Sequence, residues 1–272
     1  MSKRSHGRLV QTFGPKVGRC NICGAVGPLT EDHSPPKSCH RPKAVQVRHI
    51  VDLLDAESSP TERPSRILQN GLKFKTLCHQ CNNDYLGLRY DPALASFTNT
   101  VSSFLTSSIT LPEVANIRGN PQWMMRSIFG HVAAQGVDRY LKGKETEQLV
   151  EWFKDDTAPL PEGIRFYYWP FPHQNCIVFR DAAYLQISRS EVCVIWLMKF
   201  FPVSFLMTFE KTVNPMFNLT LLSSYHDLLP VEVDLPLNLK DIPPRYWPEA
   251  PTDDSVITFG REAMFAVPHV RN

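Results

Sequence analysis

The sequence predicts an α+β chain in which a small cysteine-bearing module precedes a larger body of helices and antiparallel strands. Three observations carry that expectation. Two CxxC pairs, Cys20/Cys23 and Cys78/Cys81, fall in the first third of the chain. Apolar residues recur at helical spacing after Pro92, and aromatic and β-branched runs separated by turn residues fill 164–225. With 272 residues, 43% of them hydrophobic, the chain can bury a sizeable core.

Residues 1–16 carry Lys3, Arg4, Arg8 and Lys16 without an apolar period, so they read as a basic arm that a phosphate could order. Residues 17–91 form the cysteine module, with an insert at 38–70 between its halves. Pro35-Pro36 stop any regular element after His33, Ala44–Leu54 reads as a short helix, and 58–65 reads as a loop with Pro60 and Pro64. Leu72–Leu77 alternates apolar and basic residues, the pattern of a half-exposed strand with a positive outer face. A short helix is expected from Asn82, and Asp91-Pro92 to close the module.

Residues 92–272 read as a helical and β-sheet domain for recognition or regulation. Ala93–Ser107, Gln122–Leu141 and Thr146–Lys154 are its helices. Ile164–Phe171, Cys176–Phe179, Ala183–Ile187, Val192–Trp196, Ser204–Phe209 and Leu219–Ser223 are its strands. The proline-dense tail from Leu229 is expected to wrap the body in extended segments and to end in an edge strand within Ser255–Val267.

Charge follows the same division. Residues 1–91 carry 14 Lys and Arg against 8 Asp and Glu, whereas 92–272 carry 15 against 19, so a net +6 faces a net −4. A basic cysteine module suits a polyanion such as nucleic acid, and the acidic remainder does not extend the same surface. No apolar run reaches bilayer length, which points to a soluble, cytoplasmic protein without membrane contact. Cys39, Cys176 and Cys193 have no partner at ligand spacing and read as reduced thiols.

The two CxxC pairs supply four thiolates, the complement of a closed structural Zn²⁺ site. The stretch between them exceeds the roughly 15–20 residues of a compact ribbon, so their pairing rests on ligand type. Close by in sequence lie chemically able groups. Asp32 and His33 are adjacent and would diverge along a straight strand, so only a kink near Pro35-Pro36 aims both at one pocket. Asn82 follows the last cysteine, so a metal that joined the pairs would bring it towards His33. Glu31 and His79 are the competing acid and imidazole, both read as surface groups, as are His40 and His49 in the insert. Lys37, Arg41, Lys43, Lys73 and Lys75 are candidate phosphate contacts.

CNIC at 20–23, TEDHSPPK at 30–37 and TLCHQCNNDYLG at 76–87 together resemble the zinc-braced HNH endonucleases, over about a third of the chain. The resemblance implies a ββα-metal module in 17–91 that hydrolyses DNA phosphodiester bonds, leaving 5′ phosphate and 3′ hydroxyl ends. It implies that His33 is the general base and that Asp32 and Asn82 hold a catalytic Mg²⁺ or similar divalent ion. The middle Asn of the family pattern has Asn70 as its nearest counterpart, further from the second CxxC than is usual in the family. A nuclease module joined to a second domain suggests restriction or phage defence, with 92–272 docking a second copy or a regulatory protein. The rival reading is a non-catalytic zinc scaffold that binds nucleic acid or protein.

Overall fold

In the computed structural model, residues 11–54, 65–209, 219–250 and 254–269 are described. The chain is α+β, with helices and antiparallel sheets throughout. Lys3, Arg4, Arg8 and nearly all of the 58–65 loop lie outside the described residues. The rest of the expected arm is laid along a strand: Thr12 and Gly14 exchange backbone hydrogen bonds with Lys75 at 3.0 and 3.2 Å.

Strands β1 (Val17–Arg19), β2 (Val26–His33) and β5 (Lys73–Cys78) make a three-stranded antiparallel sheet in the order β1-β2-β5. The expected strand at Leu72–Leu77 is thus present, with Phe74 and Leu77 buried and Lys73 and Lys75 half-exposed. A register shift between Thr30 and Glu31 bends β2 where it meets β5. After β5 the chain enters a π-helix, Gln80–Tyr90, in which the Asp91 N–H bonds the Leu86 carbonyl five residues back. It runs straight into α2 (Asp91–Leu105), whose first turn accepts Pro92 because no intrahelical donor is needed there. Asp91-Pro92 therefore continues a helix instead of closing a module.

The insert also differs from expectation. Ala44–His49 is strand β3, and only Val51–Leu54 (α1) is helical. β3 pairs β4 (Arg66–Gln69) on one side and β14 (Met264–Pro268) on the other. These strands belong to a nine-stranded antiparallel sheet with β7 (Arg165–Pro170), β8 (Cys176–Gln186), β9 (Glu191–Phe200), β10 (Val203–Thr208), β11 (Thr220–Leu221) and β13 (Ser255–Thr258). Its path is β11-β7-β10-β9-β8-β14-β3-β4, with β13 pairing β8. Of the edge strand expected at Ser255–Val267, β13 has β8 as its one described neighbour, whereas β14 is an interior strand. A small ribbon of β6 (Val114–Gly119) and β12 (Val233–Asn238) completes the strands.

Alternation along the large sheet sorts its residues into two cores. Trp196, Met198 and Phe200 of β9 join Phe166, Phe205 and the helices, while Ile195 and Leu197 join Tyr167, Phe179 and Trp247 on the other face. Both faces are covered, which is why these strands read as nearly continuous apolar runs. On the helical face lie α2, α3 (Pro121–Ala133) and α4 (Lys144–Lys154). α3 is buried all round, as a central helix must be. It ends at Ala133, short of the expected Leu141, where Gly136 takes a φ of +87°.

One core cluster runs from Cys20 and Phe74 through α3 to Met264, so the division at residue 91 is not a packing boundary. Side chains cross it as well. The Asn21 amide donates to the carbonyls of Ala133, Ala134 and Gly136, Thr76 donates to Ala134, and Ser34 to His131. The cysteine-bearing end of the chain thereby caps the last turn of α3, whose carbonyls have no partners within the helix. Among the described residues, no helix is long and apolar enough to cross a membrane.

Candidate metal centre and the adjoining cavity

The first CxxC occupies the turn between β1 and β2, where Gly24 adopts a φ of +72° that a side chain would strain and donates to the Cys20 carbonyl. Cys78 closes β5 and Cys81 lies in the first turn of the π-helix. The four sulfurs lie within 4.8 Å of one another, none in a disulfide, and Cys23 Sγ is 3.7 Å from Cys78 Sγ. A tetrahedral Zn²⁺ with bonds of about 2.3 Å needs ligand sulfurs about 3.8 Å apart, so the cluster fits such an ion. Cys39, Cys176 and Cys193 stand outside it.

Next to this cluster opens a cavity of about 630 Å³ bordered by Asp32, His33, Lys37, Asn82, Asp91 and His131, with Glu31, His79 and Gly87 also on its wall. Past the bulge, Glu31 is exposed, Asp32 is buried and His33 is half-exposed, so consecutive residues alternate yet all reach the same opening. Glu31 pairs with Lys73 at 3.4 Å, and His79 lies exposed 3.7 Å from Asp84.

Asn82 ties the head of the π-helix to the bulge. Its Nδ2 donates to Thr30 Oγ1 and to the Glu31 carbonyl, each at 2.9 Å. A carbonyl partner demands the amide's N–H, which leaves Oδ1 as the acceptor end of the side chain.

His33 is shifted below the ordinary histidine range, first by burial and then by the positive charges of Lys73 and Lys37. Its imidazole is neutral near pH 7 and able to accept a proton.

Asp32 is only 3% exposed and its Oδ2 meets His131 Nδ1 at 2.9 Å. His131, 2% exposed, meets Asp91 Oδ1 at 2.8 Å through Nε2, and Ser127 Oγ donates to the same oxygen at 2.8 Å. Both ring nitrogens face carboxylate oxygens, an arrangement that suits an imidazolium donating to each, although burial also raises the Asp32 carboxyl against the pull of His131. Burial alone would drive the proton off; the two aspartates outweigh it and push the His131 pKa up to about 10.

The sequence did not single out His131 or Ser127, and took Asp91 only as punctuation. The available signal was a set of polar residues, Gln122, Arg126, Ser127 and His131, on a mostly apolar helix. Arg126 spends its guanidinium on the carbonyls of Trp152, Asp155 and Ala158 and plays no part at the cavity.

The other candidates are distributed differently. Asn70 sits in the β4–β5 turn at a φ of +62°, is exposed and does not border the cavity. His40 and His49 are half-buried, not surface groups: the His40 ring lies 6.2 Å from that of Phe200, and His49 bonds the Gly260 carbonyl and the Val51 N–H. Of the five basic candidates only Lys37 borders this cavity. Arg41 and Lys43 border a second one.

Comparison with known proteins returns no counterpart: no family model, no curated protein and no solved structure matches the chain.

Proposed function

We propose that the chain is a metal-dependent endonuclease of the HNH type, hydrolysing DNA phosphodiester bonds in the cavity beside the cysteine cluster. What supports this reading is that Asp32, His33 and Asn82 border one cavity, with Lys37 on its rim and the strand pair β2/β5 followed by a helix beneath it. His33 accepts a proton from the attacking water, a role suited to an imidazole kept neutral by its surroundings. Lys37 draws the phosphate in. Asp32 and Asn82 would hold a divalent ion such as Mg²⁺, which when bound supplies charge neutralisation at the departing 3′ oxygen. Asn82 offers Oδ1 for this because its N–H groups are already engaged. Cys20, Cys23, Cys78 and Cys81 would hold a Zn²⁺ that, when bound, keeps the base and the helix head in register.

One observation favours the non-catalytic scaffold instead. An oxygen of Asp32 is committed to a buried imidazolium, which weakens it as a ligand. Incubation of supercoiled plasmid with the protein and Mg²⁺ separates the two. The nuclease reading expects nicking or linearisation that His33→Ala abolishes with DNA binding and zinc content retained. Binding without cleavage by the unaltered protein, or equal cleavage by the His33 variant, would leave the scaffold.

A further inference from the structure

The second cavity, about 710 Å³, is bordered by His40, Arg41, Lys43, Gln69, Gln174 and His269, together with Pro42, Ala44 and Pro268, and no carboxylate stands on its wall. Every polar side chain there is a cation, an imidazole or an amide. Four separate stretches of chain build it, and strand pairing ties three of them together: Ala44 opposes Gln69, Val45 opposes Pro268, and the His269 N–H bonds the Ala44 carbonyl at 2.9 Å. Among the described residues neither Arg41 nor Lys43 makes an ion pair, and both are exposed. A wall that carries an arginine and a lysine and no carboxylate suits an anion.

Its position gives the anion a shape. Pro36, Lys37 and Ser38 border the first cavity and His40 to Ala44 the second, so one short segment serves both. That segment is pinned as a turn, with the Cys39 and His40 N–H groups on the Pro36 carbonyl and Arg41 Nε on the Lys37 carbonyl at 2.8 Å. Lys37 and Lys43 are therefore no more than about 20 Å apart along the chain. A nucleic-acid strand presents a phosphate about every 3.4 Å of helix axis, so a strand lying at Lys37 reaches the second cavity within about six nucleotides.

We propose that this cavity is a second subsite for the phosphodiester backbone of the DNA, continuous with the first. The continuity rests on the nuclease reading; the anion subsite itself does not. Arg41 and Lys43 contribute charge, and the amides of Gln69 and Gln174 with the imidazoles of His40 and His269 contribute hydrogen bonds to phosphate and sugar. Nothing on this wall demands a base edge, so the grip is independent of sequence.

The test reads binding in the full chain carrying His33→Ala, so that no cleavage intervenes. Fluorescence anisotropy with a labelled 24-base-pair duplex is titrated between 50 and 200 mM KCl. Arg41→Gln together with Lys43→Gln is expected to weaken binding roughly tenfold or more at 0.1 M salt and to flatten the log–log salt slope by about two units. His269→Ala is expected to weaken binding as well. Unaltered affinity and slope in the Arg41/Lys43 variant overturn the subsite. So does loss of polyglutamate binding in that variant with DNA binding intact, which would assign the cavity to an acidic protein. A flattened slope with no cleavage by the unaltered protein keeps the subsite and sinks the nuclease; an unchanged slope beside active cleavage does the reverse.

Discussion

His131 Nδ1 lies 2.9 Å from Asp32 Oδ2, joining the last turn of α3 to the end of β2 through a fully buried ion pair. Removing the imidazole strands a carboxylate away from water. His131→Ala is expected to lower stability by about 3–5 kcal/mol, the cost of an uncompensated buried charge. In urea unfolding of the zinc-loaded protein, adding Asp32→Asn to that variant should recover part of the loss. Additive losses in the double variant would show that the pair does not couple.

Zinc is expected at one ion per chain. Cys78→Ser, or a strong chelator, should release it and with it much of the folding free energy, because metal and fold form together at such sites. Elemental analysis alongside circular dichroism checks both halves; a chain that holds no zinc when purified at neutral pH contradicts the assignment.

Asn82 makes a prediction independent of catalysis. Asn82→Ala loses two hydrogen bonds to the bulge and should cost about 1–3 kcal/mol. Asn82→Asp keeps the shape but sets an anion against the Glu31 carbonyl, so it should be no more stable than the alanine variant. Thermal unfolding of the three proteins ranks them.

Residues 1–91 alone should not fold, even with zinc. In that fragment Asn21, Thr76 and Ser34 lose the α3 carbonyls they bond, Asp32 loses His131, and β3 loses β14. Amide proton dispersion of the zinc-loaded fragment is the measurement. A dispersed spectrum would restore the boundary at residue 91.

Acid sensitivity should trace in part to Asp181, at the bulge of β8. Burial would raise its carboxyl, but Arg180 at 3.1 Å and Arg139 outweigh it and hold it below the usual aspartate value. A depressed folded pKa gives stability that is present above about pH 3.9 and is lost as the pH falls through the lower folded value. Asp181→Asn should therefore be less stable than the unaltered protein at pH 7, and the two should converge in strong acid.

What could be read from the sequence was whatever is encoded locally. The CxxC turns, the alternating strand at 72–77 and the apolar runs of β7 to β10 announce themselves within a few residues. β3 did not, because Ala44–His49 is a strand only by virtue of β4 and of β14, more than two hundred residues onward. The site divides in the same way. Asp32, His33 and Asn82 are adjacent to their own cysteine motifs, whereas His131 acquires its meaning only when α3 packs under β2. Gly130 lets α3 come close to the π-helix beside it: a Cβ there would meet Leu86 Cδ2 at 2.5 Å.

The π-helix settles which residues can share a wall. Asn82 and Asp91 are nine positions apart, and nine positions in an α-helix make two and a half turns, which sets them on opposite sides. With i→i+5 bonding a turn widens to about 4.4 residues, and the same nine positions come within about 20° of two whole turns. Asn82 at the bulge and Asp91 beside His131 thereby look the same way. Deleting one residue between Asn83 and Tyr90, and so letting the coil tighten, would rotate the helix head out of phase with its foot. Angular phase in this one stretch is what keeps the two ends of the cavity wall aligned.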